Sequence, residues 1–214
     1  MAILKAVERL VTCLANSLDK VANIDAGGER FAQRAATALR ESCLSVNPTP
    51  TPSAGPCSGW NELIEMARRQ SDPDLVNALF ALEPCIPWIP GNHYWPEKKY
   101  DYFTTTMRGG LVIGDDGAAF NCEDGYIVLL HTMHAHSVYP LHKHRIPEGY
   151  FIVGGHCEWS HDGKNWSTYT PGTLFYNQSW EPHAIRSKDE PLLSLDIYLP
   201  PFGWEGGLVD EVQS

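Results

Sequence analysis

Residues 139–151 read YPLHKHRIPEGYF, and within them His142, His144 and Glu148 form the pattern H-x-H-x3-E. Side chains alternate along a strand, so His142 and His144 point to the same face. The three residues Arg145, Ile146 and Pro147 let the chain bend, and Glu148 then returns to the same centre. Imidazole nitrogen and carboxylate oxygen suit divalent first-row metals, among them zinc, iron, manganese, nickel and cobalt. Three or four protein ligands leave room for a substrate, which is the catalytic arrangement rather than the closed structural one. One divalent transition metal per chain is therefore expected.

The sequence around this run reads as strand. Beyond Thr104, short apolar stretches alternate with turns: 126–133, 150–153, 173–176 and 192–199. GDDG at 114–117 and HDGKN at 161–165 are hairpin signals. Short strands at regular spacing imply a small antiparallel sandwich or barrel. The four prolines between 84 and 96 exclude a helix there.

Upstream the periodicity changes. Val7, Leu10, Val11, Leu14, Leu18 and Val21 recur at helical spacing, and Gly27–Gly28 is expected to break that pattern. A second helix is expected over 30–42, with Phe31, Ala35, Ala38 and Leu39 inward. Asn47 opens a Pro-, Ser- and Thr-rich loop running to residue 58. A third helix carries Trp60, Leu63, Ile64 and Ala67. Ser71 reads as the N-cap of a fourth, with Pro73 just inside it and Leu75, Leu79 and Leu82 on its apolar face. The expected organisation is an α-helical N-terminal extension over 1–83, then a β-barrel domain over 84–214.

The chain has 214 residues and a net charge of −10, so it repels phosphate backbones and nucleic acid is not an expected partner. Its six cysteines are scattered with no C-x-x-C pair, which reads as reduced, buried thiols in a cytoplasmic protein. Lys5, Glu8 and Arg9 interrupt the N-terminal apolar run, so no signal peptide is expected. No stretch approaches the ~20 apolar residues of a membrane span. Asn165 and Asn177 open N-x-S sequons that have no expected use without export.

H-x-H-x3-E followed by a glycine, here Gly154 or Gly155, resembles the first cupin motif. In TPGTLFYNQSWEPHAIR (170–186), Gly172 precedes His183 by eleven residues, which resembles the second. Gln178 and Trp180 replace the proline and glycine of that pattern, and His136 stands where a glycine usually precedes the first histidine. The resemblance implies a mainly β chain with a single double-stranded β-helix (jelly-roll) barrel, and His183 as a fourth metal ligand. It also implies a homodimer, since cupins often pair.

Y-P-L-H-K-H-x3-E-G-Y, W-S-x-D-G-x-x-W and S-W-x-P-H-A-I-R together resemble the cupin-type dimethylsulfoniopropionate (DMSP) lyases, especially the L and Q types, over roughly residues 90–205. That resemblance implies β-elimination of DMSP to acrylate and dimethyl sulfide. It implies Tyr150 as the base, two residues after Glu148, with Tyr139 positioning substrate or supporting the base. A sulfonium also favours aromatic faces. The chain offers Tyr94, Trp95, Tyr100, Tyr102, Phe175, Tyr176, Trp180, Tyr198 and Trp204, of which Tyr198 is the expected wall residue.

His131, His134 and His136 precede the motif. The last two form a second H-x-H with no carboxylate at matching spacing, so they are read as lining or supporting groups, with His136 among the substrate-binding residues. His93, His156 and His161 read as loop residues, and Arg186 as half of a surface ion pair. Two other functions use the same ligands: an iron-dependent cupin dioxygenase on a small thiol or acid, and a non-catalytic small-molecule-binding cupin.

Overall fold

The computed structural model describes residues 2–22, 24–91, 103–114, 117–123, 125–203 and 205–209. Helices α1 (Ala2–Leu18) and α2 (Ala26–Glu41) lead into strand β1 (Leu44–Val46), then α3 (Trp60–Gln70) and α4 (Pro73–Leu82). There follow β2 (Trp88–Pro90), a single turn α5 (Phe103–Thr106), β3 (Met107–Gly114), β4 (Phe120–Cys122), β5 (Ile127–Met133) and β6 (Val138–His144). The chain ends with β7 (Glu148–Gly154), β8 (Cys157–Ser160), β9 (Ser167–Tyr169), β10 (Leu174–Asn177), β11 (His183–Ser187), β12 (Leu192–Tyr198) and β13 (Gly206–Leu208).

The strands form two sheets. The larger runs β1-β4-β3-β5-β12-β7-β10, with β2 also paired to β3; the smaller runs β13-β6-β11-β8-β9. Between them lies an apolar layer that includes Met107, Met133, Tyr150, Ile152, Trp159, Phe175 and Ile185. Strands β7 and β12 are buried along their whole length, because each face meets a different layer. Phe151, Val153, Leu193, Leu195 and Ile197 leave the larger sheet on its outer side.

The helices cover that outer side. Leu10 and Leu14 of α1, Phe31 and Leu39 of α2, Leu63 and Ile64 of α3, and Leu75 and Leu79 of α4 join the outward sheet residues in one core. Burying each such side chain contributes about 1.5–3 kcal/mol, so helices and sheet stabilise each other strongly. Segment 1–83 is also not purely helical, since β1 within it pairs with β4.

Several local expectations are corrected. Gly27 and Gly28 do not break a helix but lie in the first turn of α2, where the Asp25 carboxylate accepts the Gly28 N–H at 2.7 Å. Tyr176 packs there, and a Cβ on Gly27 would lie 3.3 Å from its ring. Asp72, not Ser71, caps α4; the Ser71 N–H instead closes α3 on the Ala67 carbonyl. Asp115 and Asp116 of the expected 114–117 hairpin lie outside the described residues, and the flanking β3 and β4 pair in parallel, so no hairpin forms. At 161–165 the hairpin is present: β8 and β9 are antiparallel, and Asp162 accepts the Lys164 and Asn165 N–H groups at 2.8 and 2.7 Å. None of the six cysteines is joined in a disulfide, and of them only Cys57 and Cys157 are buried. No described helix is long and apolar enough to cross a membrane.

Candidate metal centre and active site

Strands β6 and β11 are neighbours in the smaller sheet, and His183 is the cross-strand partner of His142. Residues 145–147 carry the chain across to the larger sheet, where β7 opens with Glu148. The His142 and His183 rings lie 4.1 Å apart by centroid, and those of His144 and His183 5.1 Å. One donor atom from each of His142, His144, Glu148 and His183 falls within 4.8 Å of all the others.

Backbone carbonyls orient the imidazoles. Nδ1 of His142, His144 and His183 donates to the carbonyls of Pro140, Ile146 and Glu181, at 2.8, 2.7 and 2.9 Å. A carbonyl only accepts, so each Nδ1 carries a proton and each Nε2 is left to face the centre of the cluster. Nε2 of His144 and of His183 lies 3.0 and 2.8 Å from Glu148 Oε1. Lone pairs pressed against a carboxylate repel unless a cation or proton lies between them. Glu148 Oε2 and His183 Nε2 are buried with no hydrogen-bond partner among the described residues, an arrangement costly to leave unsatisfied. Three imidazole nitrogens and a carboxylate, oriented and orphaned in this way, fit a divalent metal.

Electrostatics point the same way. Burial, with His183 beside it, holds the His142 imidazole well below its ordinary pKa and therefore neutral. Burial opposes the Glu148 carboxylate, yet His144 and His183 outweigh it and keep its pKa well below the usual range. Asn177 Nδ2 donates to Glu148 Oε1 at 3.0 Å and fixes the carboxylate from β10.

A cavity of about 180 Å³ opens beside the cluster, lined by Tyr139, Tyr150 and Tyr198 among others. The Tyr139 ring stacks on His142 at 4.1 Å. Tyr150 follows Glu148 on the same face of β7 and meets Trp159 edge-on at 4.9 Å. Burial, then the Glu148 and Asp196 carboxylates, push its phenol well above 10.

Tyr139 and His142 are an odd number of residues apart, so a regular strand would face them oppositely. A bulge reconciles them: His183 pairs with His142 and Ile185 with Tyr139, so Pro140 and Leu141 stand against Ala184 alone.

His136 is corrected. It occupies a positive-φ turn position (φ 58), its side chain is 73% exposed beside Asp189, and it does not line the cavity. The turn that joins β5 to β6 aims it at solvent. His134 bonds Ser58 on the helix side, at 3.2 Å. His131 does line the cavity, as does Asp196, which spacing alone does not reveal. Asp196 was legible only as the charged member of the strand run 192–199. Arg186 pairs with Glu158 and lies over Trp166, a surface arrangement as expected. Phe175 is interior packing, Tyr176 packs on Phe31, and Trp180 is exposed. His93, Tyr94, Trp95, Tyr100, Tyr102 and Trp204 lie outside the described residues.

Two facing sheets with a His3Glu cluster between them define a cupin. Residues 29–194 match the dimethylsulfoniopropionate lyase family. The chain is 33% identical over 155 residues to dimethylsulfoniopropionate lyase DddQ of Ruegeria pomeroyi, covering 66% of this chain and 70% of that protein. In fold it resembles a structure described for the DMSP lyases RdDddP and RnDddQII, with a TM-score of 0.70 at 17% identity, covering 97% and 100% of the two chains. DddQ of R. pomeroyi DSS-3 superposes with a TM-score of 0.58 at 23% identity, covering 77% and 84%. The chain belongs to the dimethylsulfoniopropionate lyase family, and that membership makes it a carbon–sulfur lyase.

Proposed function

We propose that the protein cleaves DMSP to acrylate and dimethyl sulfide by metal-dependent β-elimination, with Tyr150 as base. The observation that carries this reading is the placement of Tyr150 on the strand face of Glu148, inside the cavity beside the four-residue cluster. His142, His144, Glu148 and His183 would hold one divalent cation, which supplies positive charge to stabilise the carboxylate-side anion and to favour the Tyr150 phenolate.

Tyr150 takes the proton from the carbon next to the substrate carboxylate. The C–H electron pair becomes the double bond of acrylate. The C–S bond breaks, and dimethyl sulfide leaves with the C–S bonding pair as its sulfur lone pair. Sulfonium is already a good leaving group, so no acid is assigned to it. Tyr139, held against His142, and Tyr198 form the walls that orient the substrate. Burial of Tyr150 and Glu148 keeps bulk water from competing for the proton.

Headspace dimethyl sulfide is measured after DMSP is added to metal-loaded protein under nitrogen. Release should exceed a metal-stripped control, and Tyr150→Phe should lose at least 100-fold while holding its metal (general-base catalysis is worth about 10²–10⁴-fold). No release from loaded protein overturns the reaction. A fully active Tyr150→Phe overturns the base assignment alone, and release that requires oxygen overturns the elimination.

A further inference from the structure

The cavity holds a second carboxylate away from the ligand cluster. Asp196 lies on β12, opposite Tyr150 on β7 and Leu129 on β5. Alternation along β12 turns Ser194, Asp196 and Tyr198 toward the cavity, while Leu195 and Ile197 enter the helix-side core. Asp196 is 4% exposed. Its Oδ1 accepts the Ser194 hydroxyl at 2.8 Å, and its Oδ2 lies 3.8 Å from His131 Nδ1, too far for a hydrogen bond.

His131 does not neutralise it. That ring is 6% exposed, lines the same cavity, and neither of its nitrogens has a hydrogen-bond partner among the described residues. Burial lowers its pKa to about 4, so it is a neutral imidazole at pH 7. One cationic residue, Arg108, borders the cavity among those described. It pairs with Thr132, whereas its neighbours Met107 and Gly109 pair with Met133 and His131, so its side chain alternates to the helix side of β3. There its charge acts on the Cys57 thiol and its Nη1 donates to the Met107 carbonyl. A buried anion without a cation is costly, and burial together with Glu148 pushes the Asp196 pKa well above the ordinary value.

We infer that Asp196, with the Tyr150 and Tyr198 rings beside it, is the subsite for the onium group of a zwitterionic substrate, and so selects a β-onium carboxylate over a neutral acid of the same shape. This rests on the lyase reading above. The two charges of DMSP then meet opposite charges at two places in one cavity: its carboxylate at the ligand cluster and its sulfonium at Asp196. The tyrosine faces add cation–π attraction. The onium supplies a positive charge that no described residue places beside Asp196, and so favours the ionised carboxylate there. His131, neutral and unpartnered, contributes shape and one N–H without competing for the carboxylate.

Two unreactive probes of nearly equal shape separate charge from size: 3-(trimethylammonio)propanoate and 4,4-dimethylpentanoate. Calorimetry on the zinc-loaded protein should show the cationic probe binding at least tenfold tighter. In Asp196→Asn the two affinities should converge to within about twofold, chiefly by loss of the cationic probe, while zinc content is kept; Asp196→Glu should retain part of the preference. Equal affinities in the unsubstituted protein overturn the subsite, whether or not either variant folds. A tenfold preference that survives in Asp196→Asn also overturns it. Dimethyl sulfide release from DMSP is scored separately on the unsubstituted protein. A clear onium preference that Asp196→Asn abolishes, without release, overturns the lyase reading and leaves the subsite. Release without preference overturns the subsite alone.

Discussion

Replacing His131 with phenylalanine keeps a ring of similar size against Tyr139 and Tyr150, both of which it meets edge-on at 5.9 Å. It removes the imidazole, a proton-binding group, from that point of the cavity wall. In the folded chain burial depresses the His131 pKa from 6.5 to about 4. At pH 7 the residue is neutral in the folded chain and mostly neutral in the unfolded one, so its cost to stability there is only about 0.2 kcal/mol. As the pH falls below 6.5 the unfolded chain binds a proton that the folded chain refuses, and the folded state loses stability. With those two values the loss attributable to His131 is about 2 kcal/mol at pH 5, levelling near 3 kcal/mol below pH 4. Urea unfolding of the chelator-treated protein and of His131→Phe, each at pH 7 and pH 5, isolates the term. Groups distant from residue 131 are common to both proteins and cancel from the comparison. The unsubstituted protein should lose about 2 kcal/mol more than the variant between the two pH values. Equal losses would refute the claim that His131 is buried without a partner.

Glu148→Gln removes the one anionic donor of the cluster, so bound metal after dialysis should fall from one per chain to below about a tenth, read by elemental analysis; an unchanged metal content would remove Glu148 from the ligand set. Gly155 has φ +78, and a Cβ there would lie 1.9 Å from the Pro191 carbonyl oxygen. Gly155→Ala should therefore cost at least about 2 kcal/mol in urea unfolding, and a loss below about 0.5 would mean that the approach is not tight. Burial, with Glu158 beside it, pushes the Cys157 thiol up to about 12. Ellman's reagent at pH 8 should label exposed Cys43 at once in native protein, but Cys57 and Cys157 only in denaturant; rapid native labelling of Cys157 would contradict its burial.

Much of the cluster was legible because its determinants are local. Strand alternation over three residues puts His142 and His144 on one face, and a three-residue turn returns Glu148. Each ring is then locked by a carbonyl two residues away, again a local event. The helices announced themselves through periodicity, since one face of each is buried. Gly27 and Gly28 misled because residue type says break, while Asp25 capping and the Tyr176 contact make them a start. His136 misled because alternation was carried across a turn, where it no longer holds.

By itself the sequence determined the main helices and strands and the likeness to a cupin, and it put His142, His144 and Glu148 together, because propensity, alternation and short spacings act within a few residues. Only the tertiary structure decided which groups share the cavity. Tyr139 enters through a bulge between β6 and β11, an interstrand event that no single-strand parity contains. Asp196 and His131 meet Tyr150 because β5, β12 and β7 are neighbours in the sheet, although residues 131 and 196 are far apart in the chain. That long-range pairing builds the cavity wall beside the His142, His144, Glu148 and His183 cluster and places a buried carboxylate in it.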